Sequence, residues 1–337
     1  MFSTSTMFVV YQCKNLGDSL LTTPLLNTLL RNFSDAKILV VCKKQSIPIF
    51  DGLSDRVTVL ERPNTISKWI SLLRHIRENP DRLVLLPHAS NAGLALAKLT
   101  GSKSICPISL NHWFIGSVDV SCPVRVSPWR HTAEVNLDML RKVGVSVQTS
   151  DKLINITGIL NGPSPSSMSG LNNNYIVVHP GSRWMFKSPK YEFWKEVIEG
   201  VVSCGHSVVL TGGSEGAESE LCRDLGALPC VRNTAGQTNI RELAHLIKGS
   251  AGFIGVDTFS MHLAAGLGVP GVVLFGPTSE LIWGPYGTNC KLAVITSNHS
   301  CRPCHADGCG GSKASDCLDH LDPAQVVASF LRQMELY

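Results

Sequence analysis

Several things are missing from the chain, and each absence narrows what it can be. No apolar run approaches the roughly 18 residues that cross a bilayer as a helix. The amino end, MFSTSTMFVVYQCKNLGD, lacks a basic start, an apolar core and a small-residue cleavage site. A secretion signal is therefore not expected, and a cytoplasmic location is. Charged residues make up only 17% against 44% hydrophobic, which excludes a disordered chain. There is no G-x-x-x-x-G-K-[ST], and the glycine turn Thr211-Gly212-Gly213-Ser214 does not read G-x-G-x-x-G. Both facts disfavour a phosphate-loop ATPase or a dinucleotide enzyme.

The 337 residues suffice for two domains of ordinary size. Charge is unevenly spread: residues 1–160 carry 18 Lys+Arg against 11 Asp+Glu, and residues 161–337 carry 12 against 15. Uneven solvation charge would explain this, as would a first half that meets something anionic. No recognised binding motif accompanies the basic half, so a nucleic-acid partner is not expected. Twelve cysteines in a cytoplasmic chain are read as reduced thiols, with any tight cluster a candidate metal site.

Apolar runs alternate with helical spacing throughout. Strands are expected at 8–11, 37–42, 57–60 and 82–86, and again at 175–179, 207–210, 253–256 and 272–275. Leucines from Leu16 to Leu30 recur at helical spacing and predict one helix running to Asn32. Further helices are expected at 66–77, 91–99, 131–143, 191–203, 239–248 and 261–267. Strands alternating with helices imply parallel sheets covered on both faces. Residues 161–174, NGPSPSSMSGLNNN, read as a linker. The expected class is α/β: two doubly wound, Rossmann-like domains facing a cleft. Their bounds are an amino-terminal domain over 1–160, the linker, a second domain over 175–322 with a cysteine-rich loop at 299–317, and a terminal helix over 323–337.

Four clusters could carry chemistry. Asp18 follows Gly17 at a helix start and is either an N-cap or a base for a substrate hydroxyl. His179-Pro180-Gly181-Ser182-Arg183, with Lys187 beyond, brings Ser182 and two cations to a strand end, which suits a leaving diphosphate. Glu218, after the glycine turn, is either a ribose contact or an exposed helix residue. Asp257-Thr258 opens a helix that includes His262, and both residue types cap orphan N–H groups where a phosphate could sit. Separately, Cys301, Cys304, Cys309 and Cys317 place four thiols within 17 residues. They suit tetrahedral Zn2+, although the irregular spacing equally fits free or redox-active thiols.

Taken in order, GDSLLTTPLL (17–26), HPGSRWMFK (179–187), LTGG (210–213), AGQTNIRELAHLI (235–247), GVDTFSMHLAAGLGVPGVVLFGPT (255–278) and the tail CRPC…GCGGSKASDCL resemble the heptosyltransferases of lipopolysaccharide core assembly, glycosyltransferase family nine. The tail and the RWMFK loop look most like the members that add the third heptose. The resemblance implies a GT-B fold, with the acceptor on the amino domain and ADP-heptose on the other. It implies an inverting, metal-independent transfer to a phosphorylated lipid A–core acceptor, with peripheral contact at the inner face of the membrane and no required cofactor. It places the general base on Asp18, a ribose contact on Glu218, and diphosphate contacts on Lys187, Asp257, Thr258 and His262. The chain departs from many relatives at Phe259, where glycine is common, and at Ser188-Pro189, where a tryptophan follows closely. Two rivals remain: a transferase of the same fold using another nucleotide sugar, and a non-catalytic nucleotide- or metal-binding regulator.

Overall fold

A computed structural model describes residues 6–108, 122–125, 127, 129–161, 171 and 174–337. The chain divides into two compact units, Met1–Ile159 and Leu160–Tyr337. Most of the expected linker, residues 162–170 and 172–173, lies outside the described residues.

In the first unit the strands are β1 (Met7–Gln12), β2 (Lys37–Cys42), β3 (Val57–Glu61), β4 (Arg82–Leu85), β5 (Lys103–Ile108) and β6 (Cys122–Arg125). All pair in parallel, in the order β3-β2-β1-β4-β5-β6. The central runs MFVVYQ and KILVVC are apolar nearly throughout because helices cover both faces of the sheet. The edge strand β3 alternates half-buried and exposed positions. The expected helix from Leu16 to Asn32 is two helices, Leu16–Leu20 and Thr23–Asn32. Pro24 explains the break, since it fits the first turn of a new helix and not the interior of a continuing one.

The second unit repeats the plan. Its strands are β7 (Tyr175–His179), β8 (Ser207–Leu210), β9 (Val231–Asn233), β10 (Gly252–Val256), β11 (Gly271–Phe275) and β12 (Leu292–Thr296). They are again all parallel, in the order β12-β11-β10-β7-β8-β9. Both sheets thus reverse direction between their first and fourth strands, the place where a doubly wound fold opens a crevice at its strand ends. The terminal helix Pro323–Leu336 belongs to this unit, with Val326 and Phe330 buried in its core. Phe330 packs where a side chain on Gly252 would stand.

Candidate active site

The strand order sets two loops of the second unit side by side. The loop after β7 starts at Pro180, and the one after β10 starts at Asp257, across the switch point. Ser188 closes the first loop by donating its hydroxyl to the Pro180 carbonyl at 2.6 Å. That closure turns Lys187 back toward β10. Its Nζ lies 2.7 Å from Asp257 Oδ2, and Thr278, just beyond β11, donates to the same oxygen at 2.8 Å. Asp257 is 6% exposed. A buried carboxylate needs this much compensation.

Asp257 therefore does not cap the helix that follows, contrary to the expectation from its position. The helix Phe259–Leu267 has Thr258 as its N-cap residue, and Thr258 makes no side-chain cap. Its hydroxyl instead pairs with that of Ser260 at 2.7 Å. The helix start is thus left without a side-chain cap beside a lysine, and its dipole points its positive end at the strand-end crevice. Phe259 is the first helical residue and His262 lies buried in the next turn. The helix ends on Gly268 in the left-handed region, at φ 66°.

Glu218 is not the exposed helix residue that its pattern favoured. Its side chain folds back over Gly181, where a Cβ would lie 2.5 Å from Glu218 Cγ, and over Gly212 and Gly213. His179 Nε2 stands 3.5 Å from Glu218 Oε1, while His179 Nδ1 meets Thr211 Oγ1 at 2.9 Å. Burial lowers the His179 pKa to about 4, so the ring is neutral near pH 7. Burial also raises the Glu218 carboxyl, against the pull of the Gly213 N–H.

Ser182 is buried, and its hydroxyl accepts from the Trp184 N–H at 3.2 Å. Arg183 is exposed, with its guanidinium 5.2 Å over the Trp184 ring. The loop therefore displays Lys187 and Arg183 differently: one in the buried network, the other on the surface.

The four cysteines of the cysteine-rich segment are not gathered around one point. Among the described residues, no group of three or more His, Cys, Asp or Glu is placed to hold a metal ion. Cys301, Cys304 and Cys309 are exposed free thiols, and buried Cys317 is pushed up to about 11, chiefly by burial. The segment braces the site instead. Arg302, with a side chain 7% exposed, donates to the Gly276 carbonyl at 2.7 Å and to Glu280 at 3.1 Å. The His305 N–H donates to the Pro277 carbonyl at 2.9 Å, and Ser315 donates to the Phe186 carbonyl at 2.7 Å. The segment thus fastens the loop after β7 and the loop after β11 that carries Thr278.

In the first unit Asp18 is the third residue of the helix Leu16–Leu20, at the carboxyl end of β1. Its Oδ2 accepts the Asn15 N–H at 3.3 Å. Burial raises its carboxyl, and the charge of Lys14 opposes that only in part. A cavity of about 150 Å³ opens at this unit's own switch point, lined by Lys14, Arg62, His88 and Ser90 among others. Sequence reading passed over these residues. The available signal was positional: Lys14 is the second residue after β1 and Arg62 the first after β3.

Two parallel six-stranded sheets of identical order, with a cation network at a strand-end switch point, define a GT-B-type glycosyltransferase. The model for "Glycosyltransferase family 9 (heptosyltransferase)" matches residues 70–314, and the chain belongs to that family. It is 28% identical over 300 residues to lipopolysaccharide heptosyltransferase 3 of Escherichia coli K12, covering 81% of this chain and 83% of that one. In fold it is similar to E. coli ADP-heptose lps heptosyltransferase II, with a TM-score of 0.75, 18% identity, and 98% of this chain and 99% of that one covered. It is likewise similar to E. coli heptosyltransferase WaaC solved with ADP, with a TM-score of 0.72, 16% identity, and 98% and 100% covered.

Proposed function

We propose that the protein transfers heptose, with inversion, from ADP-L-glycero-D-manno-heptose to the phosphorylated inner core of lipopolysaccharide. The observation that carries this reading is the Lys187–Asp257–Thr278 network beside the helix start at Thr258. It offers the remaining N–H donors of the Lys187 ammonium and backbone N–H groups to a diphosphate, and the bonds from Lys187 and Thr278 offset the repulsion that the Asp257 carboxylate would exert on it. Asp18 removes the proton of an acceptor hydroxyl. The acceptor oxygen forms its bond to the anomeric carbon as the bond from that carbon to the diphosphate oxygen breaks. ADP departs with the electron pair, and its charge is met by Lys187 and the helix N-terminus. No divalent metal is required. Glu218 takes a ribose hydroxyl, positioned by neutral His179. Lys14 and Arg62 receive an anionic group of the acceptor. The enzyme works at the cytoplasmic face of the inner membrane.

The test is direct. Purified enzyme with ADP-heptose and a truncated core acceptor should yield a product one heptose heavier by mass spectrometry, with undiminished rate after chelation. Stabilisation by ADP but not UDP supports the donor assignment, because a ligand that binds only the folded state stabilises it by an amount that grows with the logarithm of its affinity. Stabilisation by UDP instead would point to another nucleotide sugar. ADP binding without any transfer would leave the regulator as the better reading.

A further inference from the structure

The helix Ile66–Arg77 of the first unit, ISKWISLLRHIR, has one conventional face. Leu72 and Ile76 are buried there in the sheet core, with Trp69 and Leu73 packed beside them. Its outward face is not conventional. Ile66 is 80% exposed and Ile70 is 44% exposed. Arg74 and Arg77 continue the same stripe at helical spacing. The helix has no carboxylate in its twelve residues, and Lys68 is exposed as well.

The neighbouring helix Asn91–Thr100 extends this surface. Arg77 donates to the Leu99 carbonyl, which fixes the two helix ends together. Leu99 is 54% exposed, and Lys98 beside it is exposed and is the only charged residue of that helix. Among the described residues, no salt bridge engages Lys68, Arg74, Arg77 or Lys98. Glu78 follows the helix as its C-cap residue and lies 3.7 Å from His75. Ile66 and Ile70 on one helix and Leu99 on the next, interspersed with Lys68, Arg74, Arg77 and Lys98, make a cationic and partly apolar surface with no carboxylate inside either helix. They match the chemistry of an anionic bilayer: the aliphatic groups enter the headgroup boundary and the cations meet lipid phosphates.

We infer that the outward surface of Ile66–Arg77 and Asn91–Thr100, which carries Ile66, Ile70 and Leu99, docks the protein on an anionic lipid bilayer. Arg62, four residues before Ile66, lines the cavity at the end of β1 and β4. Docking by this face therefore brings that cavity close to the lipid surface. The inference gives a site to the membrane contact in the proposed function, but its test needs no turnover.

Flotation of the full chain with phosphatidylglycerol-containing vesicles, against pure phosphatidylcholine vesicles, reads it. Binding is expected to the anionic vesicles only and should weaken as salt rises. The double variant Arg74→Ala/Lys98→Ala should bind roughly 30-fold more weakly, at about fivefold per lost charge. The variant Ile66→Ser/Ile70→Ser should bind more weakly, and the binding that remains should keep the parent's dependence on salt. All four positions are exposed, so the variants should melt like the parent, and a circular-dichroism melt verifies that. Equal flotation of parent and variants overturns the inference. So does a parent that stays with neither vesicle, or one whose Ile66 face mediates self-association that the serine variant abolishes. Failure of heptose transfer with intact flotation would count against the proposed reaction and leave the docking surface standing.

Discussion

Lys187 Nζ and Asp257 Oδ2 are 2.7 Å apart, joining the loop after β7 to the loop after β10 across the switch point of the second sheet. The two are 70 residues apart in sequence. The pair is nearly buried, with side-chain exposures of 19% and 7%. Removing one partner leaves the other with its desolvation penalty, so Lys187→Ala and Asp257→Ala should each cost about 1–3 kcal/mol. The double variant should cost less than the sum, and that shortfall, read from denaturant melts of the four proteins, measures the coupling. Lys187→Ala should also weaken ADP about tenfold to a hundredfold, the worth of one charge-assisted bond. Additive stabilities would mean that the two side chains are not coupled, and unchanged ADP affinity would mean that the pair is a structural link and not part of a donor site.

Asp18 gives a pH prediction with two opposite signs. Its carboxyl is raised by burial. A raised carboxylic acid is ionised less in the folded state than in the unfolded chain. Its contribution to stability is therefore fully present below the ordinary carboxylate range and is lost as pH rises through the raised value. Asp18→Asn should then melt higher than the parent at neutral pH, with the gap closing as pH falls. Transfer should move the other way. The base acts only when ionised, so the parent rate should rise through the same pH interval. The Asn variant should be slower by about 10²- to 10⁴-fold. A variant that is both less stable at neutral pH and fully active would remove Asp18 from the base role and leave it as a helix-start residue.

The buried strands were legible because a parallel sheet covered on both faces demands unbroken apolar runs. KILVVC, YIVVH and SVVL stand where their composition put them. The edge strand β3 was legible too, but β5, β6, β9 and β12 were not. KSICPI and CPVR carry prolines, VRN has three residues, and LAVIT lies between irregular loops. At the site, Lys187 and Asp257 could be named singly, since cations and helix-start acids are local signals. Their pairing could not, because strand order creates it. Thr278 and Ser188 were invisible for the same reason: each acts through a hydrogen bond to a residue that only the fold brings near. Glu218 looked like a surface helix residue because nothing local reveals that Gly181, Gly212 and Gly213 clear a space for its side chain.

That space makes His179 a sensitive position. Its pKa is lowered to about 4 by burial, from an ordinary value of 6.5. A depressed histidine contributes stability that is present above its unfolded pKa and is lost as pH falls from there through the folded value. Across that window the loss is on the order of 3 kcal/mol. The raised carboxyl of Glu218 offsets part of it, because that group gains protons in the fold over the same interval. His179→Gln retains a hydrogen-bonding group but cannot take up the proton. Its melting temperature should fall less than the parent's between pH 6.5 and pH 4, an interval set by the unfolded and folded values. Parallel pH curves for the two proteins would show that His179 is not held neutral against Glu218. Gly181→Ala, which forces a methyl into the Glu218 side chain, should reduce donor affinity without altering the acid limb.

The cysteine-rich segment is expected to act on the donor through hydrogen bonds and not through its thiols. Arg302 holds the Gly276 carbonyl and Glu280, and Ser315 holds the Phe186 carbonyl one residue before Lys187. Arg302→Ala strips a buried carbonyl of its partner and removes a salt bridge to a carboxylate one-third exposed. A loss of about 1–3 kcal/mol follows from the unsatisfied groups alone. Because those groups flank Thr278, which bonds Asp257, ADP affinity should fall with stability, while affinity for the acceptor stays unchanged. Arg302→Lys, which keeps the charge but not the planar fork, should recover only part of both. Replacing Cys301, Cys304 and Cys309 with serine should leave ADP affinity within about twofold of the parent, since those side chains are exposed and surface substitutions are usually near neutral. A large loss in the cysteine variant, together with metal found in the purified parent, would transfer the bracing role from Arg302 to a thiol-bound ion.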